Sequence, residues 1–316
     1  PIMIKAITGT KDILPSEIKK WRDLEDTVHQ IMNNFNYSEI RTPVFEETRL
    51  FKRGIGESTD IVSKEMYSFL DRSETGITLK PEMTACVVRA LLEHSLDKQQ
   101  QLNKLYYLAP MFRQERPQAG RFRQFHQFGA EVLGSTSPNL DAEIIIIAYR
   151  ILEELGLKDL TLQINSLGIP LSRESYKQLL KQYLSDKVNK LSMESQQRLE
   201  TNILRLFDSK SEEDQRIMAD APLLLDHLDE ESREHFEKVK ELLDGVNIPY
   251  EVNPKLVRGL DYYTHTTFEI LSNSVGAQAA LCGGGRYDLL VQEIGERDVP
   301  GVGFAAGIER ILLACE

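Results

Sequence analysis

No glycine falls between Gly168 and Gly245, and Lys, Glu, Gln, Ser and Leu dominate the interval, as in Tyr176-Lys177-Gln178-Leu179-Leu180-Lys181-Gln182-Tyr183-Leu184. A stretch without the residue of turns and close backbone approach, and rich in helix formers, is expected to be helical and solvated. Glycine returns in clusters afterwards, at Gly283-Gly284-Gly285 and at Gly301-Val302-Gly303-Phe304-Ala305-Ala306-Gly307. The spacing predicts a β-rich body over residues 1–168 and 246–316, interrupted by a helical insertion over 169–245. Function is expected in the body. A helical subdomain that only stabilises accounts for the insertion's composition equally well. The length of 316 residues suits one large domain or two ordinary ones.

Within the body, Ile18, Trp21, Leu24, Val28, Ile31, Met32 and Phe35 recur at helical spacing, predicting a one-sided helix over Ser16 to Asn36. Tyr37 to Glu46 reads as a strand, and Pro43 assigns it to an edge or an interface. Asp141 to Leu155 reads as a second helix ended by Gly156, followed by a strand with Leu160, Leu162 and Ile164 on one face. Strands and helices without regular βαβ alternation imply an α+β fold with a mostly antiparallel sheet.

Several function classes drop out. No apolar run approaches the roughly 20 residues of a membrane span, and Pro1-Ile2-Met3-Ile4-Lys5 does not resemble a secretory signal. Cys86, Cys282 and Cys315 are scattered, which suits a reducing compartment and excludes a disulfide framework or cysteine-based zinc module. A soluble, cytoplasmic protein is expected. The six histidines show neither HxxxH nor HExxH spacing, so the motifs supply no metal site, and no GxSxG or GxxxxGK[ST] element occurs. Gly301-Val302-Gly303 resembles the start of a dinucleotide fingerprint, but nine residues after Gly307 leave no room for the βαβ unit it must open. The net charge of −11 means that attraction to phosphate must come from local basic clusters.

Such a cluster lies in Met111 to Glu131. Two strand-like arms flank Pro117 to Gly120, predicting a hairpin that carries Arg113, Arg116, Arg121 and Arg123 against the single acid Glu115. Alternation places Arg113 with Glu115, and Phe125 with Gln127, Gly129 and Glu131. Gly129 is expected to leave space for a small bound molecule. A surface hairpin with ordinary charge pairing is the plainer alternative. Glu82 and Thr84 form a carboxylate–hydroxyl pair able to hold an ammonium group. Arg258-Gly259-Leu260-Asp261-Tyr262-Tyr263 sets an arginine beside two tyrosines, although such a pair is usually packing. Gly303 to Arg310 reads as a glycine-rich turn into a helix whose N-terminus would favour an anion.

Together these segments resemble the class II aminoacyl-tRNA synthetases, and within them the bacterial-type histidyl-tRNA synthetases. The likeness runs from Gly9-Thr10-Lys11-Asp12-Ile13-Leu14-Pro15 to the last residues, with motif 1 at Tyr37–Glu46, motif 2 at Phe112–Glu131 and motif 3 at Gly301–Arg310. Two signatures of the histidine enzymes stand at Arg258–Tyr263 and at Gly284-Gly285-Arg286-Tyr287-Asp288. Lys80 and Met83 depart from the arginine and glycine usual in the family.

The resemblance implies an antiparallel sheet flanked by helices, a homodimer built partly through motif 1, and histidine–tRNA ligase activity in the cytoplasm. L-histidine, ATP with bound Mg2+, and tRNA(His) would be the substrates. It further implies that Arg113 and Arg258 serve catalysis at the α-phosphate and also contact the histidine, Arg113 holding its carboxylate while it binds ATP. Glu115, Arg121, Phe125 and Arg310 would bind ATP. Glu82, Met83, Thr84 and Gln127 would line the amino-acid backbone, and Glu131, Tyr262, Tyr263 and Tyr287 the imidazole. The acceptor end of tRNA would pass motif 2 and the insertion. A full synthetase would continue beyond motif 3 into an anticodon-binding domain, expected here to be absent. The main alternative is the non-catalytic, synthetase-like regulatory subunit of ATP phosphoribosyltransferase. A third reading is a relative that transfers an activated histidine-like substrate to something other than tRNA.

Overall fold

The computed structural model describes residues 2–258, 260, 262–273 and 280–316, so Gly259 and Asp261 of the Arg258–Tyr263 signature lie outside the described residues. Helix α1 (Ile18–Asn34) buries Trp21, Leu24, Val28 and Met32, the core of the predicted stripe. The single strand expected next is instead two, β1 (Ser38–Glu39) and β2 (Phe45–Glu47), which belong to different sheets. Pro43 between them lacks the N–H that a continuous ladder needs.

Helix α2 (Thr48–Ile55), strands β3 (Ser68–Leu70) and β4 (Gly76–Leu79), and helices α3 (Thr84–Glu93) and α4 (Leu96–Gln99) lead to the hairpin of β5 (Asn103–Phe112) and β6 (Gln124–Leu133). Helix α5 (Pro138–Glu154) is capped by Ser137 and followed by Gly156 at φ +92°, a left-handed position suited to glycine. Strand β7 (Leu160–Ser166) precedes the glycine-free segment, which forms α6 (Pro170–Leu184), α7 (Met193–Thr201), α8 (Glu212–Ala219) and α9 (Glu230–Gly245). The chain continues through β8 (Glu251–Val252), β9 (Thr264–Ser272), β10 (Ala280–Arg286), α10 (Leu290–Gly295), β11 (Gly301–Gly307) and α11 (Ile308–Ala314).

The main sheet runs β1-β5-β6-β11-β10-β9-β7-β8, and β2-β4-β3 form a smaller antiparallel one. Its six central strands are antiparallel, and only the edge strands β1 and β8 join in parallel. The period of two then divides the sheet. Tyr106, Phe128, Ala130, Val132, Phe268, Val302 and Phe304 face one core with α1, α5 and α9. Leu105, Tyr107, Met111 and Leu133 face the opposite way, towards α2, α3 and the first insertion helices. That second face also carries Gln127, Glu131 and Glu269.

Helix α9 inserts Phe236, Val239 and Leu243 into the first core, whereas α6 and α8 contribute Tyr176, Leu180 and Met218 to the second. No helix among the described residues is long and apolar enough to cross a membrane.

Candidate active site

The hairpin closes as its pattern predicts. Phe112 pairs with Gln124, the Arg113 N–H donates to the Arg123 carbonyl (2.9 Å), and Gln118 bridges to Arg121 across the tip. Arg113, Glu115, Arg121, Phe125 and Gln127 thereby reach one wall of a cavity of about 290 Å3. Arg258, Glu269 and Gly283 form the facing wall, and Arg310 enters from α11. Three guanidinium groups far apart in the chain, Arg113, Arg258 and Arg310, thus share one cleft.

Each arginine is held in place. Arg113 Nε donates to the Pro81 carbonyl (2.8 Å), and its guanidinium carbon lies 5.2 Å from the Phe125 ring centroid, a cation–π distance. Arg258 Nη1 meets Glu269 Oε1 at 2.5 Å. Burial opposes its charge, but Glu269 and Tyr263 outweigh that and hold its pKa above the ordinary guanidinium value. Arg310 Nη1 donates to the Ala280 carbonyl (3.0 Å). Burial, then the neighbouring Arg121 and Arg113, lower its pKa despite Glu115. Glu269 is engaged by Arg258, and Glu309 accepts from the His126 N–H at 2.8 and 3.0 Å. The remaining three cations, Arg113, Arg121 and Arg310, have Glu115 and Glu65 as neighbouring acids, fewer than the guanidinium groups, an excess that a polyanionic ligand would relieve. Gln127 Oε1 is buried without a hydrogen-bond partner, so a donor brought into the cleft would satisfy it.

Beside the cations lies a buried polar cluster. Glu131 Oε2 accepts from Tyr287 (2.6 Å), and Oε1 accepts from Thr84 (2.6 Å) and Tyr107 (3.3 Å). Burial pushes its pKa up to about 8, against the opposing pull of Thr84 and Tyr287. The Tyr262 ring lies 4.8 Å from Tyr263 and 5.7 Å from Tyr287, forming an aromatic wall. Tyr263 feels both Arg258 and Glu131, with burial the larger influence raising its pKa. The acid, the phenols and the Arg258 cation are therefore neighbours.

Several residues behave differently from their sequence readings. Gly129 does not make room for a ligand: a Cβ there would stand 2.2 Å from the Phe304 carbonyl and 2.6 Å from the Tyr107 hydroxyl, so the space belongs to the protein's own atoms. The Glu82 carboxylate accepts from the N–H groups of Thr84 (2.7 Å) and Ala85 (3.0 Å) at the start of α3, and the Thr84 hydroxyl serves Glu131. Met83 is buried, and its sulfur accepts from Thr42 at 3.5 Å, so it is not brought into the cleft. The glycine-rich turn into a helix expected at Gly303 to Arg310 is instead strand β11, paired on both sides with β6 and β10, running directly into α11. Absence of a side chain there accommodates Glu131, whose Oε2 lies 1.7 Å from where a Gly303 Cβ would stand. Helix α11 is short and has Glu309 in its first turn, so it offers no anion site of its own.

Tyr107 and Glu269 escaped sequence reasoning because their partners are distant, although alternation along β5 does align Tyr107 with Gly129. Lys80 is buried near Glu46 and Cys86, with its pKa lowered chiefly by burial, and its carbonyl accepts from the Phe112 N–H at the root of the hairpin.

An antiparallel sheet that carries an arginine-lined cleft and an adjoining buried acid–phenol cluster on one helix-covered face defines the catalytic body of a class II aminoacyl-tRNA synthetase. A family profile described as histidyl-tRNA synthetase matches residues 9–311, and the chain belongs to that family. It is 54% identical over 310 residues to the histidine–tRNA ligase of Microcystis aeruginosa, covering 98% of this chain and 73% of the relative. Apo histidyl-tRNA synthetase from S. aureus superposes with a TM-score of 0.80 at 42% identity, covering 99% of this chain and 73% of that one. A Bacillus halodurans protein described as an ATP phosphoribosyltransferase regulatory subunit/histidyl-tRNA synthetase superposes at 0.73 with 23% identity, covering 100% of this chain and 84% of that one, which shows the shared fold.

Proposed function

We propose that this chain activates L-histidine with ATP and transfers it to the 3′ end of tRNA(His). A histidine carboxylate oxygen attacks the α-phosphorus, the bond to the β-phosphate oxygen breaks, and pyrophosphate leaves. A terminal ribose hydroxyl of the tRNA then displaces AMP from the adenylate. The attacking carboxylate is already a nucleophile, so positioning and charge stabilisation carry the first step.

Arg113 and Arg258 are assigned to the α-phosphate, where negative charge gathers in the transition state. Phe125 and Arg310 enclose the adenine, Glu115 reads its amino group, and Arg121 and Arg310 neutralise the outer phosphates. Gln127 receives the amino group, joined by Glu82 and Thr84, whose oxygens keep accepting lone pairs beside the bonds they already make. Glu131, Tyr262, Tyr263 and Tyr287 grip the imidazole. A side chain without ring nitrogens would leave these buried groups unpaired, a penalty that discriminates strongly. Mg2+ enters as the counter-ion of the triphosphate, because an arginine-lined wall welcomes a metal only together with phosphate oxygens. Among the described residues no group of three or more His, Cys, Asp or Glu could hold a metal ion.

Two wider assignments belong to the same reading. Exposed Val44, Phe45, Phe69 and Leu70 on and beside the small sheet favour a homodimer interface there. Arg198 and Arg205 of the insertion line a cavity of about 190 Å3 together with Arg113 and Glu115, which suits an acceptor strand passing between hairpin and insertion. Three free cysteines agree with a cytoplasmic, reducing setting.

The convergence of Arg113, Arg258 and Arg310 on one cleft beside Glu131 carries the proposal. Histidine-dependent exchange of pyrophosphate into ATP tests it. Exchange is expected, whereas histidine binding without exchange would favour the regulatory-subunit alternative.

A further inference from the structure

Behind Glu131 and Tyr287 lies a polar cluster, built on the fully buried Arg286 and Asp141, that the chemistry above does not use. Every N–H of the Arg286 guanidinium has a partner. Nε and Nη2 donate to Asp141 Oδ1 (2.8 and 2.5 Å), and Nη1 donates to Asp288 Oδ1 and the Ser135 carbonyl (both 2.8 Å). Nη2 also reaches the Ser137 carbonyl at 3.1 Å. Asp141 Oδ2 meets His235 Nε2 of α9 at 2.7 Å, and the His235 ring stacks on His265 at 4.8 Å.

Such a cluster is a poor way to gain stability, because removing the charges from water offsets most of their attraction. Its connections have a different consequence. The carbonyls of Ser135 and Ser137 belong to the turn by which the chain leaves β6, the strand carrying Glu131. Arg286 is itself the neighbour of Tyr287, whose hydroxyl donates to Glu131 at 2.6 Å. Both halves of the Glu131–Tyr287 contact therefore hang on one guanidinium.

We infer that Arg286, Asp141 and His235 are positioning residues for the histidine pocket, linking helix α9 to the acid and phenol that receive the imidazole. This inference rests on the proposed histidine activation. Arginine's planar fork, with all its donors used, is what lets one side chain hold two strand ends at once, and lysine lacks that geometry. Among the described residues His235 is the side-chain partner of Asp141 Oδ2, so its loss should loosen the cluster without touching the cleft.

The test uses the full chain and pyrophosphate exchange, with KM measured separately for histidine and ATP. His235→Leu and Arg286→Lys should each raise the histidine KM by about tenfold or more while the ATP KM stays within about twofold. His235→Gln, which retains a donor towards Asp141, should restore most of the histidine KM. Thermal unfolding and calorimetric histidine binding, run alongside, cover Arg286→Lys should it fold poorly, because His235→Leu alone then decides. Equal changes in both KM values, or His235→Leu indistinguishable from wild type, would overturn the inference. Wild-type protein that neither exchanges nor binds histidine would instead overturn the functional reading on which it rests.

Discussion

Gly283 faces the Arg258 guanidinium across the cleft wall, and replacing it with alanine tests whether that cation must stand where it does. A Cβ at 283 would lie 2.5 Å from Arg258 Cζ and Nη1 and 2.8 Å from Nη2, whereas ordinary contact begins near 3.4 Å. The guanidinium must therefore retreat by roughly 1 Å, a misplacement that can cost about 10²-fold in rate, or ~2.7 kcal/mol of transition-state stabilisation. The clash is with the mobile end of a side chain, so the strand need not move. Replacing glycine in an allowed conformation also restrains the unfolded chain, worth about 0.4–1 kcal/mol in the stabilising direction. Exchange velocity at saturating substrates should thus fall by about two orders of magnitude while histidine affinity and melting temperature stay close to wild type. Exchange within about threefold of wild type would refute the demand placed on Arg258. Matching losses of histidine binding and melting temperature would reduce Gly283 to a packing residue.

Gly303→Ala makes the contrast: its Cβ would stand 1.7 Å from Glu131 Oε2 and 2.5 Å from the Ala130 carbonyl. Backbone cannot retreat as a side chain can, so histidine binding measured by calorimetry and the melting temperature should both fall, by about 1–3 kcal/mol in stability. Arg258→Ala should lower exchange by about 10²–10³-fold with histidine affinity little changed; comparable losses in both would contradict its assignment. Glu131→Gln should change the pH dependence of stability. The wild-type carboxyl, raised to about 8 by burial, binds a proton in the folded state that the unfolded chain loses near 4.5. Wild-type stability from this group therefore falls as pH rises through that window. The variant's melting temperature should gain on wild type between those limits, and parallel curves would refute the perturbed acid.

What could be read from the sequence was whatever repeats locally. The α1 stripe, the hairpin around Pro117 to Gly120 and the glycine-free helices are all set by spacing or by one residue's conformational range. Gly303 to Gly307 misled for a physical reason. Clustered glycine signals close approach, but sequence cannot tell backbone turning from a strand whose missing side chains make room for Glu131. Gly129 failed similarly, because the atoms filling its space come from Tyr107 and Phe304 on neighbouring strands. Family resemblance named the arginines and tyrosines of the cleft. It said nothing of Glu269, which orients Arg258, or of the bond between Asp141 and His235, which exists only after the insertion's last helix packs on α5.

A crystal structure of this chain with a stable histidyl-adenylate analogue puts the arrangement to its most direct test. The α-phosphorus substituent should lie between Arg113 and Arg258, the adenine against Phe125 with Arg310 across it, and the imidazole bonded to Glu131. An analogue seated in the cleft with its imidazole away from Glu131, or with its phosphate group contacting neither Arg113 nor Arg258, would contradict it.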